Sequence, residues 1–449
     1  MSKKINKNLT EGSIGKQLFS LTWPMTLGML GMVIFTIIDT YFIGLLGVQQ
    51  LAAISFCFPV IMFLNGLSMG IGIGTSSLIS RNIIAVERSK VRLMSSRAIL
   101  LGLVIVVVFV TAGINAMEPI FSSLGAKQET MPYIVDYMTI WLLGVPFVTI
   151  PMIGNNIVRA TGDTKLPGML MIASGVVNGV LDPLFIFGYG PFPELGIKGA
   201  ALATVISRGI SLILILIVLV KREQLLTIYL GNIKDILTTW KELIYVAIPA
   251  SISLLITPIS IGFITKIISG FGKEAVAAFG VASRVEMFAL MVVTSLGSVL
   301  IIFVGQNISK LKFQRIFTSL NYSMVFSLIW GGVVFLILLL FGNSIASVFT
   351  NVVEVIEITK KYFYIIGASY GLQGLVILST SSYNGINKPY PSAIFSLIRM
   401  LILYVPLAWI GARLFEINGV FCAGFIANII VGIISYYHLN LTIKKISVS

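Results

Sequence analysis

Long apolar runs broken by short polar joints occupy almost the whole chain of 449 residues. A helix that crosses the hydrocarbon core of a bilayer needs about 20 consecutive apolar residues. Runs of that length fall at 17–44, 51–78, 94–117, 131–156, 166–188, 197–219, 243–269, 275–303, 317–342, 355–380, 391–412 and 418–440. The pattern predicts an all-α polytopic membrane protein with twelve transmembrane helices. The only long polar stretch in mid-chain, 221–242, reads as a cytoplasmic linker between a first lobe at 1–220 and a second at 243–449. Its composition suits an amphipathic surface helix.

The two lobes repeat each other. "LTWPMTLGML" from residue 21 lies over "VAIPASISLL" from 246, and the same spacing carries Pro24 to Pro249, Ala52 and Ala53 to Ala277 and Ala278, and Gly72 to Gly297. After a small shift of register, Gly144 meets Gly367, Gly162 meets Gly385, Lys165 meets Lys388 and Pro183 meets Pro406. Spacing this constant marks a duplication. Six helices per copy is an even number, so both copies insert in the same orientation. A pseudo-two-fold axis along the membrane normal is therefore expected to relate the two six-helix lobes.

Composition sharpens the class. The chain is 57% hydrophobic and 11% charged, against about 25% charged in soluble domains; a water-soluble fold is excluded. The net charge of +14 comes from basic residues dispersed over short loops. With both termini cytoplasmic, about two-thirds of them fall on the cytoplasmic face, among them Arg81, Arg88, Arg92, Arg97, Lys312 and Arg315. This is the signature of a multi-pass inner-membrane protein and not of a nucleic-acid partner. The basic N-terminal stretch shows no cleavable signal, so the first apolar segment is expected to stay. Cys57 and Cys422 sit in apolar runs and offer no disulfide framework, and a single His438 leaves no histidine-based metal or triad chemistry. No phosphate-binding glycine loop is present, which argues against an ATP-driven pump or an enzyme. No cofactor is expected beyond a coupling ion, and the partners expected are a small organic substrate and the bilayer, with the chain a monomer.

A duplicated chain carries its own control: architecture should appear in both copies, a special site in one. Asp39 aligns with Ile264, Asn178 with Leu401, Asp182 with Val405 and Thr204 with Gly424. Each polar member is in the first lobe. Counting along the spans at 1.5 Å per residue puts Asp39, Asp182 and Thr204 all roughly 10 Å below the outer surface. Asn178 and Asp182 share a helix face, and Pro183 leaves the Gly179 carbonyl without its helical donor. Two carboxylates, an amide, a hydroxyl and a free carbonyl suit a proton or a small cation such as Na+. Pro24 in the first span is either a tolerated kink or a hinge. Arg284 and Glu286 in the eighth span either line a cavity or pair structurally; Arg208 and Arg399 are expected to snorkel or pair near the inner face.

Taken together, these stretches resemble the multidrug and toxic compound extrusion family over nearly the whole chain. The resemblance rests on "LTWPMTLGML", "IIDTYFIGLLGVQQLAAIS", "RATGDTKLP", "NGVLDPLFIF" and "GIKGAALATVIS" in combination. It implies alternating access, with substrate exported against incoming H+ or Na+. In the DinF-like branch the first-lobe site is made of two aspartates, an asparagine and a threonine, which correspond to Asp39, Asp182, Asn178 and Thr204, and the bending proline of span one corresponds to Pro24. The loop "GYGPFPELGIKG" is longer than is usual before that threonine. NorM-like members add acids in spans seven and ten; here span seven has none, and Glu354 and Glu357 stand only at the start of span ten. The expected function is a secondary antiporter exporting amphipathic, cationic organic compounds. A lipid-linked oligosaccharide flippase of the same superfamily, and a passive channel, are the competing readings.

Overall fold

The computed structural model describes residues 8–126 and 128–448, and every regular element among them is helical. Lipid supplies no hydrogen bonds, so a chain this apolar must close its backbone bonds within each segment. The first half contains α1 (Ile14–Gly44), α2 (Val48–Asn82), α3 (Arg88–Asn115), α4 (Met117–Ser123), α5 (Met131–Leu143), α6 (Val145–Ala160), α7 (Lys165–Phe187) and α8 (Ile197–Ile217). The second contains α9 (Ile233–Ser269), α10 (Lys273–Ile308), α11 (Phe313–Ser347), α12 (Val353–Ile365), α13 (Tyr370–Gly385), α14 (Tyr390–Leu397) and α15 (Val405–Val448).

These helices make twelve spans. Eight of them (α1, α2, α3 and α7 to α11) are single long apolar helices. The pair α5 and α6 is one span bent by 43° at Gly144, where a side chain would run into Val205. Helices α12 and α13 form another, joined by the tight turn Gly367–Ser369. The remaining stretch from Tyr390 to Val448 holds 59 residues, roughly 90 Å of helix and far more than one bilayer crossing needs. It breaks at Phe415 and Glu416, where Glu416 takes a φ of 52°, and so supplies the last two spans.

Internal contacts divide the described chain into two units, Pro24–Ile248 and Asn8–Trp23 with Pro249 onward. The boundaries differ from the expected lobes of 1–220 and 243–449 in two segments. Residues 14–23 of α1 belong to the second unit, and residues 221–248 belong to the first. Both borders fall at a proline inside a helix, Pro24 in α1 and Pro249 in α9, the same two prolines that the repeat superposes.

Side-chain donors explain why these segments are held where they are. The stretch 221–242 is not an independent surface helix: a π turn at Val218–Arg222 runs into irregular chain, and α9 begins at Ile233. Arginines of α3 clasp its carbonyls. Arg88 and Arg92 donate to the oxygens of Glu223 and Leu226, while Arg97 donates to Leu230 O at 2.9 Å and to Thr239 Oγ1 at 3.0 Å. Arg222 closes the turn with a 2.6 Å ion pair to Asp163. In the second unit, Leu9 N donates to Gln306 Oε1 at 3.1 Å and Lys312 Nζ to Thr10 O at 2.8 Å. Arg315 adds a bond to Gly12 O at 2.8 Å. Basic residues that the charge pattern assigns to the cytoplasmic face thus satisfy the backbone of the two segments that lead into α1 and α9.

Candidate functional site

The acidic cluster of the first unit is built on α7. Asn178 and Asp182 are one turn apart, so their side chains stack. The amide nitrogen of Asn178 donates to Asp182 Oδ1 at 3.1 Å and reaches Thr204 Oγ1 at 3.5 Å. Pro183 follows within the same helix and has no N–H for the Gly179 carbonyl.

Thr204 arrives from α8 through a tight α7–α8 hairpin. Gly188 ends α7 with a left-handed φ of 71°. Leu195 N and Gly196 N then return to cap Phe185 O at 3.0 Å and Ile186 O at 3.1 Å. The long loop folds back on the helix end and does not displace Thr204. Gly199 is required at the crossing, because a Cβ there would lie 2.3 Å from Phe185 O.

Asp39 is delivered by α1, which lies against α7 along a stripe of glycines. A Cβ on Gly28 would lie 2.7 Å from Gly168 Cα, and one on Gly175 would lie 2.0 Å from the Phe35 ring. Small residues let the backbones touch, which is how apolar helices gain van der Waals contact in lipid. Following the two helices outward along this seam brings Asp39 beside Asp182: a Cβ on Gly179, one turn before Asp182, would lie 3.9 Å from the side chain of Ile38, the residue before Asp39. Asp182 is 0% exposed, and Asp39 is half-buried. Asp39 Oδ1 and Asp182 Oδ2 are buried with no donor. Two anionic carboxylates in contact need a proton or a cation between them, since neither can donate to the other.

All four sequence-derived residues therefore meet in one place. Pro24 lies on α1 well before Asp39, with its carbonyl against Gly168 of α7: a Cβ on Gly168 would fall 2.5 Å from Pro24 O. The sequence reading did not include Tyr137 of α5, which is buried in the core cluster that also holds Ile43 and Ile186, each one turn beyond an acid of the pair. Its phenol is a polar group on the apolar helix face, a pattern that could have been read from "YIVDYMTIW".

The second unit treats the equivalent positions as hydrophobic core. Ile264 is fully buried, with Leu401 and Val405 packed around the same cluster, and Gly424 leaves room for the Tyr404 ring. Arg284 and Glu286 do not pair with each other. Glu286 accepts from Gln373 Nε2 at 2.8 Å and from the Tyr362 hydroxyl, whereas Arg284 is exposed on the opposite side of α10. Asn428 continues this network, its amide nitrogen donating to Gln373 Oε1 at 3.3 Å and its oxygen accepting from Arg399 Nη1 at 3.1 Å. Arg399 is thus paired and Glu286 supplied with donors.

The duplicated helical scaffold has counterparts among known proteins. The MatE family profile matches twice, over residues 24–184 and 249–410, and so starts at each of the two helix-internal prolines. The chain is 34% identical to a FAD transporter of Shewanella oneidensis, over 97% of this chain and 96% of that one. It is 25% identical to the multidrug export protein MepA of Staphylococcus saprophyticus, over 98% and 96%. Among solved structures it is similar to the Vibrio cholerae MATE transporter VcmN in the bent form, with a TM-score of 0.91 and 31% identity over 96% of this chain and 97% of that one. A MATE structure in the straight conformation superposes with a TM-score of 0.92 at 25% identity, covering 100% of both chains. This chain accordingly belongs to the MatE family, the multidrug and toxic compound extrusion transporters of the membrane.

Proposed function

We propose that the chain is a secondary antiporter that exports amphipathic organic compounds against H+ or Na+ across the cytoplasmic membrane, with both termini cytoplasmic. The observation that carries this reading is the one-sided acidic cluster of Asp39, Asp182, Asn178 and Thr204. With one proton aboard, the two carboxyls share a hydrogen bond and hold α1 against α7. When that proton leaves, like charges face each other in a site of low dielectric, and the repulsion either draws in a cation or parts the helices. Na+ would find the two carboxylates, the Thr204 hydroxyl, the Asn178 amide and the freed Gly179 carbonyl, an all-oxygen set suited to a hard cation. Pro24 is the point at which α1 leaves one unit for the other, so the bend that follows a change of charge is placed there.

Ion binding drives export only if it favours one conformation over the other. The seam of glycines supplies such a two-state element, since backbones in contact either fit or separate. The twelve spans and acidic first unit do not suit a flippase, for which a basic cavity and commonly 14 spans are expected, and a passive channel has no use for a paired ionisable site. The test is transport by purified protein in proteoliposomes under imposed pH or Na+ gradients.

A second reading concerns the cargo. The 34% relative from Shewanella oneidensis is named a FAD transporter, and a flavin dinucleotide is a planar polycyclic ring system carrying an anionic diphosphate, not a cation. Export of FAD, measured as flavin fluorescence outside loaded vesicles, separates this cargo from cationic dyes.

A further inference from the structure

A cavity of about 360 Å³ opens in the second unit between residues 14–23 of α1, α10 and α11. Aromatic rings make its wall: Phe19 and Trp23 come from α1, and Tyr322, Phe326 and Trp330 from α11. Phe326 and Trp330 are stacked at 6.2 Å with an interplanar angle of 14°, and Trp330 is pinned by its Nε1 donating to Ala289 O at 2.8 Å. Ser323, which also borders the cavity, is 1% exposed, and its Oγ has no hydrogen-bond partner. Trp23 remains 53% exposed, so the niche is not closed off by its own rings. The niche is built from the first ten residues of α1 and the first half of α11, up to its middle at Trp330; both helices start from the basic segments that the charge pattern assigns to the cytoplasmic face.

We propose that this niche is a loading site for the planar heteroaromatic part of an amphipathic compound dissolved in the inner leaflet. A lipid tail gains little by entering it, because leaving other lipid tails has no hydrophobic reward. A flat ring gains offset stacking against the Phe326–Trp330 wall, a contribution beyond area alone. A ring nitrogen or carbonyl also gives Ser323 the partner that hydrocarbon lacks. The volume suits a fused tricyclic ring system, at the small end of the range for ligand pockets of about 300–1,000 Å³. The assignment of loading rests on the exporter reading above; the assignment of ring binding does not.

The test uses the full chain in nanodiscs and lumiflavin, a neutral tricyclic ring compound whose absorption overlaps tryptophan emission. Saturable quenching is expected in the wild type and is lost when Trp23→Phe and Trp330→Phe are combined. Gly15→Leu should abolish it, because a Cβ at Gly15 meets only the Tyr322 ring at 3.9 Å, so the added branch projects into the niche without disturbing the helices. Ser323→Ala should weaken binding by about 5- to 10-fold, the value of one hydrogen bond. Export in proteoliposomes supplies the second readout, and Gly15→Leu should slow it. Quenching that survives Gly15→Leu overturns the site, as does quenching of these tryptophans by brominated phospholipid that lumiflavin fails to relieve. Lost quenching with unchanged export overturns loading while keeping ring binding. Quenching without wild-type export of any gradient-driven cargo sinks the antiporter reading and leaves the niche standing.

Discussion

Replacing Asp182 by asparagine alters the charge of the acidic cluster and almost nothing else. The side chain keeps its size, and an amide oxygen can still accept from Asn178 Nδ2, which donates to Asp182 Oδ1 at 3.1 Å in the native protein. Stability should therefore change by no more than about 1 kcal/mol, the net worth of one hydrogen bond. Coupling should change completely. One pH unit is worth about 1.4 kcal/mol per proton, so exchange of one proton lets the substrate gradient rise about tenfold per unit of pH difference. If Na+ is the coupling ion, a tenfold Na+ gradient supplies the same factor. The assay is dye accumulation at steady state in proteoliposomes, with membrane potential clamped and the ion gradient stepped. Wild type should follow the coupling ion with a tenfold slope, and Asp182→Asn should be flat while melting at nearly the wild-type temperature. A variant that keeps the full slope refutes the proposal that the Asp39–Asp182 pair carries the ion.

Three further outcomes follow from particular contacts. Gly168→Ala introduces a Cβ 2.5 Å from Pro24 O; backbone cannot yield as a side chain can, so a loss of about 1–3 kcal/mol and weakened coupling are expected with every acid intact, read by thermal denaturation and by the slope above. Glu286→Ala leaves the donors of Gln373 and Tyr362 unmet, at about 1–3 kcal/mol for each buried group, yet ion coupling should persist; loss of the ion slope in Glu286→Gln, which retains an acceptor, would move the coupling site into the second unit. Arg97→Ala removes the bonds to Leu230 O and Thr239 Oγ1 and should raise amide exchange and proteolysis at residues 223–232, with little effect elsewhere in α3.

How much of this was legible in the sequence depends on the length scale of the signal. Twelve spans are visible because lipid enforces about 20 apolar residues per crossing, and the family profile matches both halves where the repeat was read. Asp39, Asn178, Asp182 and Thr204 stood out because their repeat partners Ile264, Leu401, Val405 and Gly424 are apolar, and the structure brings all four into one cluster. The surface helix that the composition of 221–242 suits does not form over residues 223–232, for a physical reason: the arginines of α3 bind carbonyls of this stretch, and a backbone satisfied by side chains has no need of helical bonds. The transfer of residues 14–23 to the second unit was equally hidden, since an uninterrupted apolar run gives no sign of which bundle it packs against. Tyr137 escaped notice because a phenol in an aromatic-rich span differs from its neighbours by one hydroxyl. The glycine seam between α1 and α7 was present as letters but became informative only when the two helices were paired.

The most direct measurement of the account is a count of protons at the acidic pair. Purified protein in weakly buffered solution with a pH indicator is titrated with Na+ and, separately, with a cationic dye. If the pair exchanges its proton for another cation, wild type and Glu286→Gln should each release about one proton per chain on saturation, and the combined Asp39→Asn, Asp182→Asn variant should release none. Equal release from the doubly substituted protein would contradict the assignment of ion exchange to the first unit.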